Sequence, residues 1–187
     1  PRDCLIVSGV NHESSLAAAR EAAALEQAGA DGLLVFPPNS WALGHSDDCT
    51  LLHHRLIADA TGLPLMLYGA PVGAGTMSYG PELLARLVED ARFVAIKDGS
   101  WEVAAYEEHL RLIRTLRPDF AVLGSGDEHL LTSYVIGSAG SQVSLAAVVP
   151  ELVVALWDAA EAGDWATARR VHDALYPLSV AIYRDAP

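Results

Sequence analysis

The sequence predicts a parallel α/β fold, and three observations carry that prediction. Short apolar runs rich in β-branched residues alternate with stretches of helical spacing about six times along the 187 residues. Each run is continuously apolar, the pattern of strands covered on both faces. The runs are closed by Gly, Pro or Asp-Gly, the residues that end parallel strands in loops. Such alternation builds a sheet that is either doubly wound or closed as a barrel. No Gly-x-Gly-x-x-Gly follows the first run, which weakens a dinucleotide-binding reading.

The elements follow in order. Cys4-Leu-Ile-Val7 reads as a buried strand broken at Gly9, and Ser14 or Ser15 caps an alanine-rich helix ending at Gly29. Gly32 to Phe36 is the next strand, stopped by Pro37-Pro38, and Asn39 to Asp48 is a polar loop. Thr50 to Ala60 has helical spacing and ends at Gly62; Pro64 to Tyr68 is a third strand, with a loop from Gly69 to Gly75. Pro81 starts a helix that runs to about Asp90. Phe93 to Lys97 is a fourth strand, Glu102 to Leu116 a helix, and Phe120 to Leu123 a fifth strand. Gly124-Ser-Gly-Asp-Glu128 leads into a helix toward Ile136, and a sixth strand is expected near Ser141 to Leu145. Pro150 to Ala162 and Trp165 to about Tyr183 are closing helices, the last running toward Pro187 without a terminus signal. Two units are expected: residues 1–146 as a partial (β/α) barrel, and 147–187 as the last barrel helix and the start of a C-terminal helical region.

Composition narrows the function. The chain is 51% hydrophobic and carries a formal charge of −12, which argues against nucleic acid and anionic membranes as partners. Cys4 and Cys49 give no disulfide framework and read as reduced core thiols. With no membrane-length apolar run and no signal-peptide profile at Pro1-Arg-Asp-Cys4, a cytoplasmic location is expected.

Chemistry concentrates at strand ends. Phe93-Val-Ala-Ile-Lys97-Asp-Gly-Ser100 holds the only lysine of the chain; the other eleven basic side chains are arginines. Lysine normally abounds on soluble surfaces. Its restriction to the end of a buried strand points to a task that guanidinium cannot perform, because an amine can lose its proton and attack a carbonyl. The alternative is a simple ion pair with Asp98 or another carboxylate. Tyr68, at the end of the preceding strand, would stand beside Lys97 across a ladder spacing of roughly 5 Å. A phenol there can move protons as a carbinolamine collapses to an imine. His45, His53 and His54 have no metal-ligand spacing, and neighbouring histidines on a helix point apart. Trp41 and Trp101 follow strands and read either as residues lining the mouth or as simple packing residues, and no basic residue closely follows Gly124-Ser-Gly126 to make it a phosphate loop.

These motifs resemble a known family. Val94-Ala-Ile-Lys97-Asp-Gly-Ser100 is similar to the Schiff-base strand of the dihydrodipicolinate synthase/N-acetylneuraminate lyase family of pyruvate-dependent class I aldolases. Leu65-Met-Leu-Tyr68-Gly-Ala-Pro71 resembles the strand bearing that family's catalytic tyrosine. Gly29 to Pro37, Val122 to Glu128, Gly140 to Ser144 and Ala162-Gly-Asp164 fit in the same order. The resemblance implies a (β/α)8 TIM barrel, of which about six βα units are present, assembled as a homotetramer or dimer. It implies no metal and no cofactor, and a small 2-oxo acid such as pyruvate as substrate. Lys97 would form the imine, Tyr68 would relay protons, and Gly126 and Gln142 match positions lining the substrate pocket. Asp127-Glu128 resembles an acidic pair that holds sugar hydroxyls in sialic-acid lyases; the other reading is an acidic pair complementing a helix N-terminus.

The departures bear on substrate. The family's Gly-x-x-Gly-Thr-Thr-Gly-Glu-type loop does not occur, and the resemblance puts it upstream of residue 1, so a partial chain lacking the first two βα units is expected. Pro38 and Asn39 stand where dihydrodipicolinate synthases have an interlocking tyrosine, and Gly73 where they have a carboxylate-binding arginine. Lys97-Asp-Gly99 is closer to some sugar-acid dehydratases, such as 5-dehydro-4-deoxyglucarate dehydratases. The leading expectation is therefore a Schiff-base lyase, aldolase or dehydratase. The alternatives are such a dehydratase specifically, or a non-catalytic regulatory relative.

Overall fold

A computed structural model describes residues 4–184. Five parallel strands, β1 (Val7–Val10), β2 (Gly32–Val35), β3 (Leu65–Gly69), β4 (Phe93–Asp98) and β5 (Ala121–Gly124), form one sheet in the order β1-β2-β3-β4-β5. The helices are α1 (Ser15–Gln27), α2 (Asp47–Ala58), α3 (Pro81–Val88), α4 (Val103–Leu116), α5 (Leu130–Ile136), α6 (Pro150–Glu161) and α7 (Trp165–Arg184). Sequential strand order decides between the two architectures left open by the sequence. Right-handed crossovers that always step the same way leave every helix on one face, whereas a doubly wound sheet reverses. The fold is barrel-like.

Burial agrees. On the helix-covered face, Leu33, Val35, Leu65, Leu67, Ile96 and Val122 are sealed among α1 to α4. Their neighbours on the opposite, inner face, Met66, Tyr68, Lys97 and Leu123, are only half-buried. Helix faces match this core: Leu83, Leu84, Leu87 and Val88 on α3, and Tyr106, His109, Leu110 and Ile113 on α4, recur at helical spacing. A second apolar cluster joins α5 to α7 through Leu130, Tyr134, Leu145, Leu156 and Leu175.

One irregularity sets the orientation of β4. Leu65 pairs with Phe93, but Met66 pairs with Ala95, so Val94 is an extra residue in a β-bulge. Phe93 is thereby buried on the helix side, against His54 of α2, while Ala95 and Lys97 share the inner face with Met66 and Tyr68.

Several expectations are corrected. The first strand starts at Val7 and includes Gly9, so Leu5 to Val7 is exposed at the sheet edge and Cys4 is not a core thiol; Cys49 is exposed too. The Asn39 to Asp48 stretch is structured: a 3-10 turn spans Asn39–Leu43, and the Ser46 hydroxyl accepts from the Cys49 N–H to start α2 at Asp47. The sixth strand is a single bridge from Gly124 to Ser141, followed by a 3-10 turn over Ser144–Ala147. The expected start at Pro1 and run to Pro187 lie outside the described residues. Among the described residues no helix is long and apolar enough to cross a membrane.

Candidate active site

Tyr68 and Lys97 are register partners at the carboxyl ends of β3 and β4. The Lys97 amine stands 5.6 Å from the centroid of the Tyr68 ring, and the ring's other neighbour is Phe36, at 4.5 Å. Burial pulls the Lys97 ammonium below its ordinary pKa, against the opposing charge of Asp127. The ring's π face also favours the charged amine. The same burial raises the Tyr68 phenol. Both shifts are in the direction of the neutral forms of the two groups.

Beneath them lies the turn Asp98-Gly99-Ser100. The Gly99 N–H donates to the Gly69 carbonyl at 2.8 Å, and the Val72 N–H to that of Ser100 at 3.2 Å. A Cβ on Gly99 would meet the Gly69 oxygen at 2.6 Å and lie 3.6 Å from the Tyr68 hydroxyl, so only glycine lets the turn sit this close.

Asp127 is 2% exposed, and its carboxylate is fully engaged. It accepts from the Leu145 N–H at 2.7 Å, the Ser144 N–H at 3.3 Å and the Tyr183 hydroxyl at 2.8 Å. The carboxylate thus caps the turn over Ser144–Ala147, ties α7 to the sheet, and sets a negative charge within reach of Lys97. Gly126 precedes it, with the His129 ring 3.3 Å from where a Cβ would be. The Gln142 N–H donates to the Gly124 carbonyl at 2.9 Å, and its side-chain Oε1 is buried without a hydrogen bond. Lys97, Tyr68 and Asp127 therefore converge, with Gly126 in the adjoining loop; Gln142 joins through the β5 bridge.

Sequence reasoning missed Tyr183 and undervalued Trp101. The Tyr183 hydroxyl also lies 2.9 Å from the Ser144 hydroxyl, and its ring meets Trp101 edge-on at 4.9 Å. Trp101 holds a φ of 61°, a left-handed conformation strained for a bulky residue, and lines a small cleft with Ser100, Glu102, Gly126 and His129. That cleft, about 30 Å³, has room for about one water and not for a substrate, and neither Lys97 nor Tyr68 lines it. Trp41 packs between His45, stacked at 4.4 Å, and His53, edge-on at 5.2 Å. Among the described residues no three His, Cys, Asp or Glu gather as metal ligands.

Residues 5–186 match the model of the dihydrodipicolinate synthetase family. The chain is 37% identical over 173 residues to 4-hydroxy-tetrahydrodipicolinate synthase 1 of Streptomyces coelicolor, covering 92% of this chain and 54% of that protein. It is 31% identical to the probable 2-dehydro-3-deoxy-D-pentonate aldolase YjhH of Escherichia coli, covering 97% and 60%. It is similar in structure to YagE of E. coli K12, a prophage protein of the dihydrodipicolinic acid synthase family solved in complex with pyruvate. The TM-score is 0.89 at 27% identity, covering 98% of this chain and 60% of that one. The chain thus spans 54% to 60% of the length of these three proteins.

Proposed function

Because this chain belongs to the dihydrodipicolinate synthetase family, we propose that its protein is a Schiff-base-forming lyase, an aldolase or dehydratase acting on pyruvate or another 2-oxo acid. The observation that carries this reading is the sole lysine of the chain, desolvated and paired in register with Tyr68. The neutral Lys97 amine adds to the C2 carbonyl, and the carbinolamine loses water to give an imine. Tyr68 donates the proton to the departing oxygen and recovers one later. The protonated imine then accepts the electron pair released when a carbon–carbon bond breaks, or when a proton leaves C3. Gly126, Asp127 and Gln142 belong to the substrate-binding side of this proposal, Asp127 through its charge and its grip on the Ser144–Ala147 turn.

The whole protein is proposed to be a (β/α)8 barrel, a cytoplasmic homotetramer or dimer needing no cofactor. Its division is placed near 146/147, between the turn over Ser144–Ala147 and α6, and the apolar cluster of α5 to α7 runs across that point. The test is borohydride reduction of the full protein with pyruvate, followed by peptide mass spectrometry. A reduced pyruvyl adduct is expected on Lys97 and none in Lys97→Ala; an unmodified Lys97 would refute the lyase reading. Release of a three-carbon product would mark aldol cleavage, and loss of water alone dehydration.

A further inference from the structure

The residue after Lys97 faces away from the inner face and is heavily bonded. Asp98, 2% exposed, accepts from His109 Nδ1 at 2.6 Å through Oδ2 and from the Ser100 N–H at 2.9 Å through Oδ1. Its backbone carbonyl accepts from the Ser125 N–H at 3.2 Å and the Ser125 hydroxyl at 2.8 Å. His109, 8% exposed, lies on the buried face of α4, and the backbone of Tyr79 acts on its ring in the same sense as Asp98, favouring the proton. A carboxylate and a backbone carbonyl are both acceptors. A ring that gives Nδ1–H to the carboxylate with the Tyr79 backbone also acting on it is favoured in its doubly protonated form.

We propose that His109 and Asp98 are a buried positioning pair, holding the Asp98–Ser100 turn so that the Lys97 amine and the Tyr68 hydroxyl keep their reacting register. His109 ties α4 to the turn after the Lys97 strand, at Asp98. The turn in turn lies directly beneath the phenol, as the 3.6 Å approach at Gly99 records. The charged groups acting on the ring are Asp98 opposite it and Glu108 beside it on α4. Burial lowers the ring's proton affinity, but the Asp98 bond and the two negative charges outweigh it and leave His109 above its ordinary pKa. An uncharged ring would leave Asp98 a buried anion with weaker compensation, and the turn would relax.

This inference rests on the Schiff-base reading. Its test follows exchange of the pyruvate C3 protons in D2O by proton NMR, since that exchange needs both the imine and proton transfer. In the full protein, His109→Gln and Asp98→Asn are each expected to lower the maximal exchange rate roughly 10–100-fold. Half-saturation by pyruvate is expected to change by less than about threefold, and the double variant to lose no more than the worse single one. Borohydride trapping at Lys97 is expected to persist. Unchanged exchange in folded variants would overturn the inference alone, whereas absence of any Lys97 adduct in the unmutated protein would overturn the lyase reading and this inference with it. Nitrogen-15 NMR of the unmutated protein provides a check independent of variant folding: both His109 ring nitrogens should be protonated at neutral pH, and a neutral ring would overturn the pair.

Discussion

Lys97 is tuned by two opposing influences, so its reactivity is adjustable in either direction. Burial strips the ammonium of water, while the Asp127 carboxylate holds the proton on. Removing that charge in Asp127→Asn lowers the Lys97 pKa further, so more amine is neutral at a given pH. The rising limb of the borohydride-trapping rate against pH is therefore expected to move to lower pH. The variant should also lose about 1–3 kcal/mol of stability, because the new amide N–H₂ opposes donors that the carboxylate now accepts. A limb that stays in place would show that Asp127 acts on the fold and not on the amine. Of these residues, Lys97 and Tyr68 were legible in the sequence because a single lysine and a tyrosine end adjacent strands. Tyr183 was not legible: it reaches Asp127 across 56 positions, and only the packing of α7 brings them together.

At the level of elements, the strands were readable where continuous apolar runs meet a helix layer, and misread where a side chain competes for the backbone. Ser141 to Leu145 has a strand's composition, but the Ser144 and Leu145 N–H groups are taken by the Asp127 carboxylate. With those donors engaged, no ladder forms there, and the chain turns into a 3-10 coil. The start of β1 was placed too early because Leu5-Ile-Val7 is apolar, although it lies along the sheet's edge. The turn after β4 gives a sharper test of element geometry. Gly99→Ala is expected to cost about 1–3 kcal/mol, read by chemical denaturation, and to slow trapping as the turn lifts from Gly69. Gly73→Ala, with nothing within 4 Å of its Cβ position, is the matched control and should change neither.

For the molecule as a whole, acid stability follows from α2. Burial lowers both His53 and His54 to about 4 from an ordinary 6.5. Both rings are neutral when folded, so between pH 6.5 and 4 the unfolded chain binds protons that the native one refuses, and stability falls with pH across that window. For His54 the loss is at most about 3 kcal/mol, complete near pH 4 where the folded ring also charges. Melting temperatures should decline from pH 7.5 to 5, and His54→Phe should flatten that decline; an equally steep curve would place the sensitive groups elsewhere. His109 has the opposite sign: its raised pKa contributes stability at low pH that is lost as pH rises through the folded value.

The extra residue at Val94 has an engineering consequence. Strict alternation would send Phe93 and Lys97 to the same side, yet one anchors the helix layer and the other faces inward. Straightening the bulge with Val94 kept in the ladder would make these two demands incompatible, evicting either the phenyl ring or the amine. Anyone shortening, grafting or recombining this segment must therefore preserve the register on either side of Val94, since that register, as much as the strand's chemistry, aims the Lys97 amine.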